Sequence, residues 1–112
     1  MTNSRAKGAR GERSFSKLCR DHGWENARRG QQFSGLEGED VVGLPKIHVE
    51  CKWVQALQLD KAMEQSIRDA QDKIPIVAHK KNYKPVMITM LAEDWFKLYG
   101  EWYSSVYLEE VE

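Results

Sequence analysis

The apolar and polar positions of this chain alternate between helical and strand periods, and that alternation defines its elements. Over residues 9–22, Phe15, Leu18, Cys19 and His22 share one helical arc and Gly23 supplies a stop, which predicts a first helix. Residues 24–33 read as a strand with polar inserts, and residues 34–39 as a loop of turn formers ahead of Asp40. Residues 41–54 form an apolar run interrupted by Gly43-Leu44-Pro45-Lys46, the pattern of a hairpin. Leu59, Ala62, Met63, Ser66, Ile67 and Ala70 recur at helical spacing and predict a second helix over residues 59–72. Residues 74–78 and 85–91 read as strands on either side of a basic turn, Lys80-Lys81-Asn82-Tyr83-Lys84. A third helix then carries Trp95, Phe96, Leu98 and Tyr99. The terminal Trp102, Tyr103, Tyr107 and Leu108 either complete the core or form a subunit interface. The order helix, strand, hairpin strand, strand, helix, strand, strand, helix predicts an α/β protein with a mixed central sheet and helices on both faces.

Strand alternation also groups the chemistry. Over residues 47–54, Val49, Cys51 and Trp53 project to one face and His48, Glu50 and Lys52 to the other. Apolar residues on one face suit a strand packed on one side, and the polar row opposite suggests a cleft. If the hairpin folds at Gly43-Leu44-Pro45-Lys46, Asp40 returns beside Glu50, so two carboxylates meet next to a lysine. Hard oxygen ligands of this kind select Mg²⁺ or Mn²⁺. Glu12 lies at the border of the first apolar arc, where it either points at a site between helix and sheet or reaches water, water being the favoured reading. Gln65 lies off the second helix's stripe and reads as a surface residue.

At 112 residues the chain has room for one domain and one core. No apolar run approaches the roughly 20 residues needed to span a bilayer, and the polar start lacks the apolar core of a signal peptide, so a cytoplasmic protein without a membrane partner is expected. Cys19 and Cys51 are too few and too scattered for a zinc site and read as small buried hydrophobes. There is no Gly-rich phosphate loop, no interpretable Ser-His-Asp arrangement and no paired-cysteine signature. The net charge is zero, yet residues 1–35 hold eight basic against three acidic side chains. Arg10, Arg13, Lys17 and Arg20 gather on one arc of the first helix, and Lys80, Lys81 and Lys84 surround Tyr83. Such groupings suit a phosphate backbone and equally describe solvated faces.

Taken together, Lys7-Gly8-Ala9-Arg10-Gly11-Glu12-Arg13, Arg28-Arg29, Ser34-Gly35, Asp40 and Glu50-Cys51-Lys52 resemble the PD-(D/E)xK nuclease superfamily. Within it the chain is most similar to archaeal-type and phage Holliday junction resolvases, over residues 7–91. The resemblance implies a restriction-endonuclease-like fold and a Mg²⁺-dependent endonuclease, with Mn²⁺ able to substitute, that cuts four-way DNA junctions to leave 5′-phosphate and 3′-hydroxyl ends. It implies Asp40, Glu50 and the backbone carbonyl of Cys51 as metal ligands, Glu12 as an outer acid, and Lys52 as the group that orients or deprotonates the attacking water. It implies DNA contacts from Arg10, Arg13, Arg28, Arg29, Ser34, Gln65, Lys80 and Lys81. Branched DNA is the implied partner, and two symmetric cuts imply a homodimer. Glu39 stands where the family carries a proline. Two other readings stay open: a flap or duplex nuclease of the same fold, and a non-catalytic DNA-binding module.

Overall fold

Gly23 ends the first helix as its position suggests: at φ +98° it lets the Trp24 N–H reach back to the Cys19 carbonyl at 3.0 Å, closing the last turn. The computed structural model describes residues 4–30 and 39–108. Its elements are α1 (Ser4–Asp21), β1 (Arg28–Arg29), β2 (Val41–Val42), β3 (Ile47–Trp53), α2 (Leu59–Ala70), β4 (Ile74–Lys80), β5 (Met87–Met90) and α3 (Ala92–Tyr103), followed by a π-helical turn at Ser104–Leu108. They form an α/β protein with one five-stranded mixed sheet in the order β1-β2-β3-β4-β5. Among the described residues β3 and β4 run parallel and the other neighbouring pairs are antiparallel. A parallel pair needs a crossover, and α2 supplies it.

The central strands are covered on both faces. Val49 and Cys51 of β3, with Ile76 and Ala78 of β4, pack under Phe15 and Cys19 of α1. On the other face Val77 packs against Ala62 and Met63 of α2, and the Ser66 hydroxyl donates to the Ile76 carbonyl at 2.9 Å. Gly11 brings α1 close to β3, since a Cβ there would stand 3.0 Å from the Trp53 side chain. Among the described residues no helix is long and apolar enough to cross a membrane.

Several expectations need correction. β3 is packed on both sides, so His48 and Glu50 are 2% and 1% exposed and lie beneath α2. The strand expected over residues 24–33 is a pairing of Arg28 and Arg29 alone; a turn occupies Glu25 and Asn26, and residues 31–38 lie outside the described ones. Two positions on the apolar stripes are exposed: His22, which lies in the turn after α1, and Ile67, which stays outside although Ser66 and Ala70 on either side of it are buried. The aromatic end does not complete the core: α3 buries none of its residues. A radius of gyration of 15.4 Å exceeds the roughly 13 Å expected of a compact chain of this length, in keeping with a helix that lies off the sheet.

The β2–β3 turn carries its own test. Gly43 sits at φ +98°, and a Cβ there would lie 2.3 Å from the Asn26 carbonyl oxygen. Gly43→Ala is expected to cost roughly 2–3 kcal/mol, through backbone strain and displacement of Asn26. Urea unfolding checks it, the midpoint falling while the slope is kept.

Candidate metal centre

The hairpin brings Asp40 to the edge of β3 just where β2 stops pairing. Val41 is opposite Val49, and the Asp40 N–H donates to the Val49 carbonyl at 3.0 Å. Two residues further along β3, the Asp40 carboxylate takes over the role of a strand partner: Oδ2 accepts the Cys51 N–H at 2.8 Å. A strand residue turns its N–H and C=O toward the same neighbour, so the Cys51 carbonyl is directed to the edge that Asp40 occupies.

Glu50, adjacent in the strand, is the largest fully buried side chain of the protein's described residues. Burial, then the charge of Asp40 and a hydrogen bond shared with it, push its carboxyl from 4.5 up to about 8; Lys52 opposes the shift and Asp69 adds to it. Glu50 therefore holds its proton to higher pH than an ordinary glutamate, beside the partly buried carboxylate of Asp40. Glu12 faces the same corner from α1. Its side chain is 12% exposed, Arg29 Nε donates to its Oε1 at 3.3 Å, and burial followed by the charge of Asp40 raises its carboxyl. The favoured reading of Glu12 as a water-facing acid is therefore wrong: Arg29, arriving on β1, gives it a reason to stay inside. The Cys51 thiol is pushed far up by burial, then by Asp40 and Glu12, so it stays protonated and acts as a small apolar side chain.

Lys52 is half-buried at the end of the same strand and makes no ion pair among the described residues. Arg10 and Arg13 are exposed on α1, and Arg13 is near enough to lower the carboxyl of Glu12. Lys17 and Arg20, on the same arc, are engaged within the chain, by Asp21 at 2.9 Å and the Ala27 carbonyl at 2.8 Å. Arg28 donates to the Asn26 carbonyl at 3.1 Å and is otherwise outward. Lys80 aligns with Trp53, one position past Lys52, so Lys80 and Lys81 lie at the same end of the sheet as the lysine of the site. Ser34 lies outside the described residues. Gln65 is half-buried on α2, and the α2 side chain whose charge reaches Glu50 is Asp69, one turn further on.

Four residues of this neighbourhood were not expected at the site. His48 Nε2 lies 3.0 Å from Glu50 Oε1, and its Nδ1 lies 3.6 Å from Glu39 Oε1. Lys73 in turn pairs with Glu39. His48, Glu50 and Asp69 each place one ligand atom within 4.8 Å of the others, a trio that could also hold a cation. The alternation of β3 put His48 beside Glu50, and Asp69 lies three positions after buried Ser66 on α2; no sequence signal ties Lys73 or Glu39 to them. At the main corner, two carboxylates and a carbonyl with no thiolate form a donor set that fits a hard divalent cation such as Mg²⁺ or Mn²⁺. No family model, no curated protein and no solved structure matches this chain.

The raised carboxyl of Glu50 sets a sign for stability. The folded state keeps a proton that the unfolded chain releases, so this contribution is full below about 4.5 and is lost as the pH rises through about 8. Glu50→Gln, which cannot ionise, is expected to melt above the wild type at pH 8 in chelator and close to it at pH 5. The gap should grow by at most roughly 1.4 kcal/mol per pH unit. Mg²⁺ should raise the melting temperature of the wild type at pH 8 and leave that of Glu50→Gln unchanged.

Proposed function

We propose that this chain is a metal-dependent DNA endonuclease of restriction-endonuclease-like fold that acts on four-way junctions. The observation that carries this reading is the meeting of Asp40 and Glu50 at the β2–β3 edge, with Glu12 facing them from α1 and Lys52 on the same strand. A buried acid pair with one neighbouring ammonium is an unstable arrangement for structure alone and a suitable one for binding a cation beside a phosphate.

A Mg²⁺ ion held by Asp40, Glu50 and the Cys51 carbonyl would supply Lewis-acid charge to the phosphoryl oxygen and ease deprotonation of water. Lys52 places positive charge where the transition state gains negative charge, and can orient the water that attacks phosphorus. Water forms the new P–O bond, the bond to the 3′ oxygen breaks, and the products are a 5′-phosphate and a 3′-hydroxyl. Glu12, fixed by Arg29, takes a proton or a hydrogen bond from water at the rim of the site. Exposed Arg10, Arg13 and Arg28, with Lys80 and Lys81, offer contacts to phosphates that position a strand without reading its bases.

Junction cleavage needs two sites on one surface, and α3 supports a dimer. Trp95, Phe96, Tyr99, Trp102, Tyr103 and Tyr107 are each about half exposed and stack along the helix and its π turn, Trp95 on Tyr99 at 5.2 Å. At roughly 100 Å² exposed per ring, half of a typical aromatic surface, they come close to the roughly 800 Å² per partner of a stable interface once the exposed Met87, Ile88, Leu91 and Leu98 are counted. A groove of about 370 Å³, floored by Ile76, Ile88 and Met90 and edged by Leu18 and Leu98, lies beside it. A second copy covers both by isologous pairing.

With Mg²⁺, the protein is expected to nick a labelled immobile four-way junction symmetrically and to leave a matched linear duplex intact, with no cleavage in chelator. Lys52→Met should lower the rate by roughly 10²–10³-fold. Equal cutting of both substrates would make it a general nuclease; binding without cutting would make it a DNA-binding module. In parallel, light scattering at micromolar concentration should give a dimeric mass for the wild type and a monomeric one for Tyr99→Glu. A monomeric wild type would count against the paired-site account.

A further inference from the structure

We propose that His48 is a positioning residue for Glu50, fixed from behind by Glu39 and Lys73, so that the second carboxylate oxygen of Glu50 stays turned toward Asp40. The proposal rests on the reading of Asp40 and Glu50 as a metal site and deepens it.

The geometry begins with strand alternation, which sets His48 and Glu50 two residues apart on the α2 face of β3, both almost wholly buried. His48 Nε2 lies within hydrogen-bond distance of Glu50 Oε1, at 3.0 Å, and the Nε2–H tautomer donates to that oxygen once Glu50 is ionised. The other ring nitrogen faces Glu39 Oε1 at 3.6 Å, and Glu39 is itself paired with Lys73, so a carboxylate backs the imidazole on the side away from Glu50. These partners come from separate elements. Glu39 precedes β2, and Lys73 precedes β4 next to the Ile74 N–H that bonds the Lys46 carbonyl at 2.9 Å. The chain Lys73, Glu39, His48, Glu50 therefore crosses three strands and ends on a metal ligand.

Glu50 needs such a hold. Asp40 lies on one side, and the Asp69 carboxylate lies within 4.8 Å of the His48 and Glu50 atoms on the other. Of the groups touching Glu50 among the described residues, the imidazole is the nitrogen donor, and it engages one oxygen only. Without it, Glu50 keeps only its contact with Asp40 and loses the group that holds its other oxygen. Partners of this kind, one step removed from a metal, typically change metal affinity by 10- to 100-fold when removed. Glu39 stands where the resembled family carries a proline, so this anchor belongs to the chain's own sequence.

The test is Mn²⁺ binding to the full chain, read by the EPR signal of the free ion at one fixed pH. His48→Asn keeps a polar group near Nδ1 and loses the donor at Nε2; about 10- to 100-fold weaker binding is expected. His48→Gln places an amide nitrogen where Nε2 stood and should restore most of the affinity. Glu39→Gln, near the rim, removes the anchor without altering the core, and a severalfold loss is expected. Unchanged affinity in His48→Asn or Glu39→Gln, or equal loss in the Asn and Gln variants of His48, would overturn the positioning role. So would nitrogen hyperfine coupling to bound Mn²⁺ in pulsed EPR, since that makes His48 a ligand. Glu50→Gln separates the two claims. If it loses Mn²⁺ while His48→Asn keeps it, the metal site stands and the positioning role falls; if Glu50→Gln also binds normally, both fall.

Discussion

Everything distinctive about this structure depends on one unfavourable contact, the meeting of the fully buried Glu50 carboxyl with the partly buried carboxylate of Asp40. Burial and like charge together push Glu50 up to about 8, so the corner keeps a proton at neutral pH that an ordinary glutamate would have released. A proton is one solution to that repulsion and a divalent cation is another, with the cation favoured as the pH rises. Other groups nearby offset the charge or stay out of it. Lys52 offsets part of the charge, Arg29 occupies Glu12, and the raised thiol of Cys51 stays neutral behind the site.

The fold creates this contact by ending a strand pairing early. β2 contributes Val41 and Val42 only, and the chain before it leaves the ladder so that a carboxylate instead of a carbonyl meets the Cys51 N–H. A tight turn made possible by Gly43 sets the register of that hairpin, and Gly11 lets α1 approach β3 closely enough for Glu12 to face the pair. α2 closes the other side, which is why the polar row of β3 is an interior network and not an open cleft. The costly features of this corner are buried like charges and a close approach of α1 to β3, the latter allowed by Gly11.

Much of this was legible in the sequence, because it depends on local periodicity. The element order, the Gly23 stop, the hairpin, and the two faces of β3 follow from spacing alone. The parts that were not legible depend on contacts between distant segments. Nothing near Glu12 announces that Arg29 will fold back onto it, and nothing near Glu39 announces Lys73. Ile67 and His22 show the limit of stripe arguments, since helical spacing alone does not say which positions at the edge of a stripe the neighbouring elements cover. The aromatic helix could be read either way from sequence, and the structure leaves it outside the core.

The metal at the Asp40–Glu50 corner is the claim on which the catalytic reading and the role of His48 both stand. Crystals soaked in Mn²⁺ at pH 8 and measured at a wavelength where manganese scatters anomalously would test it most directly. The account predicts a peak bounded by the carboxylates of Asp40 and Glu50 and the Cys51 carbonyl, with His48 outside the coordination sphere. No peak at this corner, or a peak held by His48, Glu50 and Asp69 with Asp40 uninvolved, would contradict it.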